Sequence, residues 1–272
     1  MTQSILNQIK LGDIKLKPYP YVVKQDVLDQ NLCNRLIAEF PPMETITKGK
    51  TYSSNERFSL PAADVTKADS VSPLWKEFIQ RHVSPEFLSQ FLNLFKSFIL
   101  QEHPDFERDI GSFSNLRPGV RNIHSYNEAD IVLDAQICLN TPVVGKPTSV
   151  KIAHLDSANE LFAGLLYLRP DNDNSTGGEL EVYSYKNKRP QFHGPRLIDD
   201  RFVTKVDRVP YKRNCLVLFI NSFNALHGVT SRSITDHPRL FVNFLGEVKR
   251  PLFDLAPYRE GFLNKILRRL YN

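Results

Sequence analysis

Three side chains in this sequence have the types and spacing of a mononuclear metal site. His154 and Asp156 stand two residues apart in Ile152-Ala-His154-Leu-Asp156, and His227 follows 73 positions later (227 − 154) in Leu226-His227-Gly-Val229. Two imidazoles and one carboxylate cover one triangular face of an octahedron and leave three positions open for substrate and O2 chemistry. That donor set suits a redox-active, non-haem iron. Any one of these residues alone is ordinary. His82, His103, His124, His193 and His237 lack such a companion pattern and read as surface or core histidines.

The fold must bring these residues together. If a strand covers 148–156, residues i and i+2 share a face, so His154 and Asp156 look into one pocket while Leu155 turns away. His227 follows the apolar run Cys215-Leu-Val-Leu-Phe-Ile220 and a short turn, which puts it at a strand end. After residue 110 the pattern is strand-like, with β-rich runs at 119–126, 131–141, 148–153, 162–168, 178–184, 202–209, 215–221 and 239–247. Eight short strands in succession predict a jelly roll or sandwich. Pro190 to Asp200 reads as a long loop.

The N-terminal part reads differently. Pro18-Tyr-Pro-Tyr-Val-Val23 is an extended lead-in. Asp29 caps a short helix whose apolar face is Leu32, Cys33, Leu36, Ile37 and Phe40, and Pro41-Pro42 stops it. Residues 43 to 70 are polar and read as irregular. A helix is predicted from Pro73 to Arg81. The clearest helix start follows, with Ser84 as N-cap, Pro85 at the first helical position and Glu86 near the positive end of the dipole. Phe87, Leu88, Phe91, Leu92, Phe95, Phe98 and Ile99 form its core face. The tail 257–272 reads as an amphipathic helix. We expect a single catalytic domain over 1–272: a helical support region (1–110), a jelly-roll core (111–250) and a C-terminal helix (251–272). The class is mainly β with flanking helices packed on one face.

The motifs in their order resemble the Fe(II)- and 2-oxoglutarate-dependent oxygenase superfamily, in its prolyl-hydroxylase-like branch. They are His154-Leu-Asp156, Leu166-Tyr167-Leu168, Gly177-Gly178-Glu179-Leu180, His227-Gly-Val229 and Arg239. The resemblance is strongest over 130–247 and implies a double-stranded β-helix, the cupin-like jelly roll. It further implies that His154, Asp156 and His227 bind Fe(II), with O2 and 2-oxoglutarate as co-substrates and ascorbate as an auxiliary reductant. Arg239 and Tyr167 would meet the distal carboxylate of 2-oxoglutarate, with Leu180 and Val229 beside it. A planar guanidinium suits that carboxylate because it can give two parallel hydrogen bonds. Arg239 lies twelve residues after His227 (239 − 227), slightly long for the branch, and Arg232 is a nearby alternative. Gln136 and Asn140, evenly spaced on one strand, are candidates for the co-substrate and the substrate respectively; an edge strand facing water would explain them equally.

Composition narrows the partners. Apolar residues make up 41% and charged residues 24% of 272 residues, with a formal charge of +5 and a pI near 9.0. A modest excess of this kind suits an anionic ligand, while the absence of a run of Lys/Arg speaks against nucleic acid. No apolar stretch is long enough for a membrane span. Cys33, Cys138 and Cys215 sit in apolar contexts and read as buried thiols. A cytoplasmic protein is expected. The segment 186–213 is basic and reads as a solvated loop, or as a lid over an anionic substrate.

The leading expectation is hydroxylation of an unactivated C–H of a small metabolite, such as an amino acid or sugar, with release of succinate and CO2. A prolyl-4-hydroxylase-type enzyme acting on peptides is the alternative within that chemistry. A non-catalytic jelly-roll binding or sensing module, and a cupin-like enzyme that uses another metal without 2-oxoglutarate, are the alternatives outside it.

Overall fold

The computed structural model describes residues 3–259 and 261. The helix expected over 257–272 lies almost wholly outside the described residues. In chain order the elements are β1 (Ile14–Lys15), β2 (Tyr21–Gln25), α1 (Gln30–Ala38), α2 (Met43–Thr47), β3 (Arg57–Leu60), α3 (Ala62–Val65), α4 (Pro73–His82), α5 (Pro85–Glu102) and α6 (Phe106–Asp109). They continue with β4 (Pro118–Val120), β5 (Ile131–Asn140), β6 (Glu160–Tyr167), β7 (Leu180–Tyr185), β8 (Phe192–His193), β9 (Leu197–Ile198), β10 (Val203–Val209), β11 (Cys215–Ile220), β12 (His227–Val229) and β13 (Arg239–Val248).

The main sheet has the order β1-β2-β11-β6-β13-β5-β3, with β4 beside β5. Its neighbours are antiparallel except β4 and β5, which run parallel. A smaller sheet, β10-β7-β12, lies opposite, and β8 and β9 form a hairpin. This is the expected mainly-β jelly-roll arrangement with flanking helices.

Period-two alternation sorts the central strands into two cores. One set of side chains, including Ile137, Leu166, Leu218, Val242 and Phe244, packs against Phe78 of α4 and Phe87, Phe91 and Phe95 of α5. Phe91 meets Phe162 with ring centroids 4.1 Å apart. The other set, including Cys138, Tyr167, Val217, Phe219 and Phe241, faces Leu180 and Val182 of β7. With both faces covered, every residue of β5 is buried. That removes the water-facing edge as an explanation for Gln136 and Asn140.

Helix α5 starts as its sequence demands. Ser84 Oγ accepts from Phe87 N at 3.2 Å, and Pro85 occupies the first turn. Each fully buried Phe or Leu on its face contributes about 1.5–3 kcal/mol of transfer free energy, which anchors the main sheet from behind.

Four segments differ from their expected form. Residues 43–70 contain α2, β3 and α3. The strand β3 has only four residues, too short a stretch to show alternation, yet Arg57 and Ser59 share the face of Asn140 and Cys138, their partners in β5. The N-terminal region is therefore both helical support and a donor of β1, β2 and β3 to the main sheet. Of the 119–126 run only Gly119 and Val120 lie in a strand, β4. The loop 190–200 folds into the β8–β9 hairpin.

The fourth difference bears on the site. Residues 148–153 form no named strand. They run beside β12 and the following turn through isolated bridges, Thr148 with Arg232 and His154 with His227, and His154 also bridges Leu197. Pro147 and the polar Thr148-Ser149 weaken regular pairing, so single bridges replace a ladder.

Candidate active site

The bridge between His154 and His227 is mutual. His154 N donates to His227 O at 2.9 Å, and His227 N donates to His154 O at 3.1 Å. The two rings are thereby held with centroids 4.2 Å apart. Asp156 closes the triangle, with Oδ1 3.6 Å from His154 Nε2 and Oδ2 3.4 Å from His227 Nε2. Leu155 points the other way into a separate apolar cluster with Ala153 and Leu226. The face-sharing predicted for a regular strand thus holds in a segment that is only bridged. One donor atom from each of the three residues lies within 4.8 Å of the others.

Backbone carbonyls orient both rings. His154 Nδ1 donates to Ile152 O at 2.7 Å, and His227 Nδ1 donates to Ala225 O at 3.0 Å. With the proton on Nδ1, the Nε2 lone pairs face the shared space; this is the usual way a second partner sets a ligating tautomer. Burial pushes His154 down to about 3, assisted by the neighbouring His227. Burial also lowers His227, against the pull of Asp156. Burial alone would raise Asp156, but His227, His154 and Lys151 together hold its carboxyl well below the usual range. Neutral imidazoles and an ionised carboxylate at neutral pH are the protonation states that a divalent cation requires. The donor set fits Fe(II).

The triad opens on a cavity of about 310 Å³. Arg239, the first residue of β13, stands at its buried end and is 2% exposed. Its Nε donates to Gly178 O at 2.9 Å and its Nη1 to Asn140 Oδ1 at 3.2 Å. Its guanidinium carbon lies 4.9 Å from the ring centres of both Tyr167 and Phe241 and 5.2 Å from Tyr211. Three buried donors here have no hydrogen-bond partner: Arg239 Nη2, Tyr167 Oη and Asn140 Nδ2. Burial raises the Tyr167 hydroxyl to about 12, with Arg239 pulling the other way, so it keeps its proton and is free to donate it.

Arg232 does not line the cavity and is engaged through two of its three nitrogens, its buried Nη1 having no partner. It is 1% exposed, and its Nη2 donates to Asp173 Oδ2 at 2.9 Å and its Nε to Ser175 Oγ at 3.0 Å. Between the two candidate arginines, the structure puts Arg239 on the cavity and locks Arg232 into an internal ion pair.

The Gly177-Gly178 pair has a steric reason. Both glycines have positive φ, +80° and +72°. A Cβ on Gly177 would lie 1.9 Å from Ser231 O, and one on Gly178 would lie 3.3 Å from Arg239 Cδ and Nε. The turn therefore supplies φ values that only glycine adopts freely, lets the 231–232 backbone approach, and offers Arg239 a carbonyl.

Leu180 and Val229 are cross-strand partners and wall the cavity. Gln136 lines it too, but its amide is engaged: Nε2 donates to Asp134 Oδ2 at 2.8 Å and Oε1 accepts from Asn243 at 3.3 Å. Asn140, expected on the substrate side, lies instead against Arg239. The remaining histidines have structural places. His82 holds Ile5 N and Phe78 O, and His103 contacts Asn221 O. Cys33, Cys138 and Cys215 are buried and free.

Among the cavity residues that sequence reasoning passed over are Arg57, Lys151, Phe219 and Phe241. The Phe219 ring centroid is 4.8 Å from that of His227. Period-two alternation in Cys215–Ile220 and Arg239–Val248 is the signal that could have found the two phenylalanines.

No protein-family model matches the chain, and no curated protein matches it. Among solved structures, a prolyl 4-hydroxylase from Phytophthora capsici is similar at 15% identity, TM-score 0.53, over 100% of this chain and 74% of the other. The chain has the fold of a prolyl 4-hydroxylase. A putative oxygenase from Shewanella oneidensis (13% identity, TM-score 0.49, 92% and 90% of the chains) and the α-ketoglutarate-dependent epimerase SnoN (12%, 0.48, 86% and 82%) are similar at lower scores. At these identities the likeness is one of fold. No described helix is long and apolar enough to cross a membrane.

Proposed function

We propose that this protein is an Fe(II)- and 2-oxoglutarate-dependent dioxygenase that hydroxylates an unactivated C–H of a small metabolite. The balance is 2-oxoglutarate, O2 and R–H giving succinate, CO2 and R–OH. The observation that carries this reading is a set of three buried donors without a partner: Arg239 Nη2 and Asn140 Nδ2, of two residues that line the cavity of the His-Asp-His triad, and Tyr167 Oη, on the ring that lies against Arg239. Leaving a buried donor unpaired costs about 1–3 kcal/mol, more for a charged one. A carboxylate placed there satisfies all three.

In this reading His154, Asp156 and His227 hold Fe(II). The bound iron and 2-oxoglutarate supply the chemistry that activates O2 for C–H oxidation. The chain's own contribution is position and exclusion. Arg239, fixed by Gly178 O and Asn140 Oδ1, presents Nη2 to the distal carboxylate of 2-oxoglutarate. Tyr167 and Asn140 each donate one further hydrogen bond to it. Leu180, Val229 and Phe219 keep water from the space beside the triad and so strengthen these contacts. The cavity volume is at the low end of the range for small-molecule sites, about 300–1,000 Å³, which supports a small substrate. The three buried free thiols support a reducing compartment such as the cytoplasm.

A second reading, a prolyl-4-hydroxylase-type enzyme acting on a peptide, is favoured by the fold likeness. Succinate release above the uncoupled background, measured with free metabolites and with proline-containing peptides, separates the two. The central claim is tested by mixing Fe(II), 2-oxoglutarate and protein without O2. A metal-to-ligand charge-transfer band is expected in the visible spectrum, and metal-loaded protein that shows no band would sink the assignment.

A further inference from the structure

Cationic side chains outnumber acidic ones around the cavity, five to two. Arg239 is committed to the buried end, and Arg121 is paired with Glu247 at 2.9 Å and Asp134 at 3.7 Å. That leaves Arg57, Lys151 and Arg196, which come from three separate parts of the chain. Arg57 opens β3, beside Asn140 and so two strands from Arg239 in the same row. Its guanidinium carbon lies 5.3 Å from the Phe241 ring centre, and its nearest polar contact is Cys138 Sγ at 3.9 Å. Arg196 stands in the turn between β8 and β9 and gives only Nε to Leu155 O, at 3.1 Å. Among the described residues, neither has a carboxylate within ion-pair distance.

Lys151 lies between the triad and the open side, with Nζ 3.6 Å from Asp156 Oδ1. Among the described residues Asp156 is its one ion-pair partner. A divalent cation on the triad takes that carboxylate and leaves the ammonium uncompensated. Other cations of the same basic segment are neutralised: Lys205 by Glu181, Arg208 by Glu179 and Glu181, Arg213 by Asp171. Arg196 is the one that lines the cavity.

We infer that Arg57, Lys151 and Arg196 form an anion subsite on the substrate side of the triad, and that the substrate carries a carboxylate or phosphate group. The inference rests on the proposed co-substrate reading, which gives Arg239 to 2-oxoglutarate. With Asp156 given to a cation on the triad, three cations on one cavity repel one another and are stabilised by an anion. Two guanidiniums present planar donor forks that match carboxylate or phosphate oxygens. Lys151 adds a charge nearest the reaction centre. A substrate tethered by its anionic group at this rim would direct its C–H bonds toward the triad.

The test uses full-length protein loaded with Mn(II), which occupies the triad without turnover. 2-Oxoglutarate is titrated first by calorimetry. Then butyl phosphate, pentanoate and pentanamide are titrated with and without 2-oxoglutarate. The expected result is that at least one anion binds more tightly than the neutral amide. Tighter butyl phosphate marks a phosphate substrate, and tighter pentanoate marks a carboxylate. In the Arg57→Gln/Arg196→Gln double variant the anion should weaken by about tenfold or more, since each hydrogen bond to a charged group is worth roughly 1.5–3 kcal/mol. Arg196→Gln alone, which touches neither Asn140 nor Phe241, should bind 2-oxoglutarate within about twofold of wild type, as expected for a site without shared partners.

The inference is overturned if neither anion binds, if the amide binds as tightly as the acids, or if the double variant keeps wild-type anion affinity. It is also overturned if anion binding is lost in Arg239→Ala and not in the double variant, which would assign the anion to the co-substrate end. Failure of 2-oxoglutarate to bind wild-type protein would strike the proposed function, while the anion titrations without it would still report on the subsite. Circular dichroism of the double variant checks that it is folded.

Discussion

The two ends of the cavity are built from different materials. At the buried end, Arg239, Tyr167 and Asn140 are the terminal residues of β13, β6 and β5, long central strands of the main sheet that are paired on both sides. Their unpaired donors are held in place by packing on both faces. At the open end, Arg57 begins a four-residue strand, Lys151 lies in a bridged segment and Arg196 occupies a hairpin turn. Rigid strands suit a co-substrate that never changes. A short edge strand, a bridged segment and a turn, which tolerate substitution, suit a substrate that differs from enzyme to enzyme. The triad stands between, and both ends depend on it.

The largest effect is therefore expected at that boundary. Asp156→Ala removes the one anionic ligand and leaves two neutral imidazoles. Fe(II) binding and succinate formation should both fall below detection, read by the anaerobic absorption band and by succinate release. Retention of the band would mean that metal binding does not need the carboxylate.

Next comes the buried end. Arg239→Ala should raise the dissociation constant of 2-oxoglutarate by about a hundredfold or more, since truncating one partner of a buried charge pair costs roughly 2–5 kcal/mol. Tyr167→Phe keeps the ring and loses one donor, so about a tenfold loss is expected. Calorimetry on the Mn(II) protein measures both. Unchanged affinity in Arg239→Ala would overturn the assignment of Arg239 to the distal carboxylate of 2-oxoglutarate.

The same contrast decides what could be read from residues alone. His154, Asp156 and His227 stood out as a donor set by type and spacing, Arg239 and the Gly-Gly turn entered through the family resemblance, and the long strands β5, β11 and β13 announce themselves by apolar runs. The helix α5 was legible from Ser84-Pro85-Glu86. The open end was not legible. Arg57 belongs to a strand too short to show a period, in a segment that reads as irregular, and its approach to Phe241 is a contact between residues 184 positions apart (241 − 57). The choice between Arg239 and Arg232 also needed three dimensions, because Asp173 becomes the partner of Arg232 only through folding.

Titration distinguishes the two carboxylates on the cavity. Burial raises Glu160 from 4.5 to about 8, with Asp156 and Glu247 adding to the effect. A carboxyl whose pKa rises on folding contributes stability that is full below pH 4.5 and lost as pH climbs to about 8, because the unfolded chain releases its proton first. Glu160→Gln removes this loss. Metal-free protein should melt at nearly the same temperature as wild type below pH 4.5 and at a higher temperature above pH 8. The sign reverses for His154, depressed to about 3 from 6.5: its contribution is complete above 6.5 and lost as pH falls. Thermal melts across both windows check the pair, and a Glu160→Gln variant destabilised at high pH would show that the ionised form has a partner.

The smallest effect is expected at a cation of the same basic segment that does not line the cavity, where it sharpens the comparison most. Lys205 and Arg196 belong to the same basic segment and carry the same charge. Lys205, about half exposed, already contacts Glu181, whereas Arg196 faces the cavity without an acid. Removing an exposed ion pair changes stability by about 0–1 kcal/mol, and a charge beyond a Debye length of about 8–10 Å is largely screened at physiological salt. Lys205→Gln should therefore leave anion affinity within about twofold of wild type, where Arg196→Gln alone weakens it several-fold. Equal losses in the two variants would mean that overall positive charge, and not three convergent side chains, draws the anion in; raising the salt concentration would then abolish both effects together.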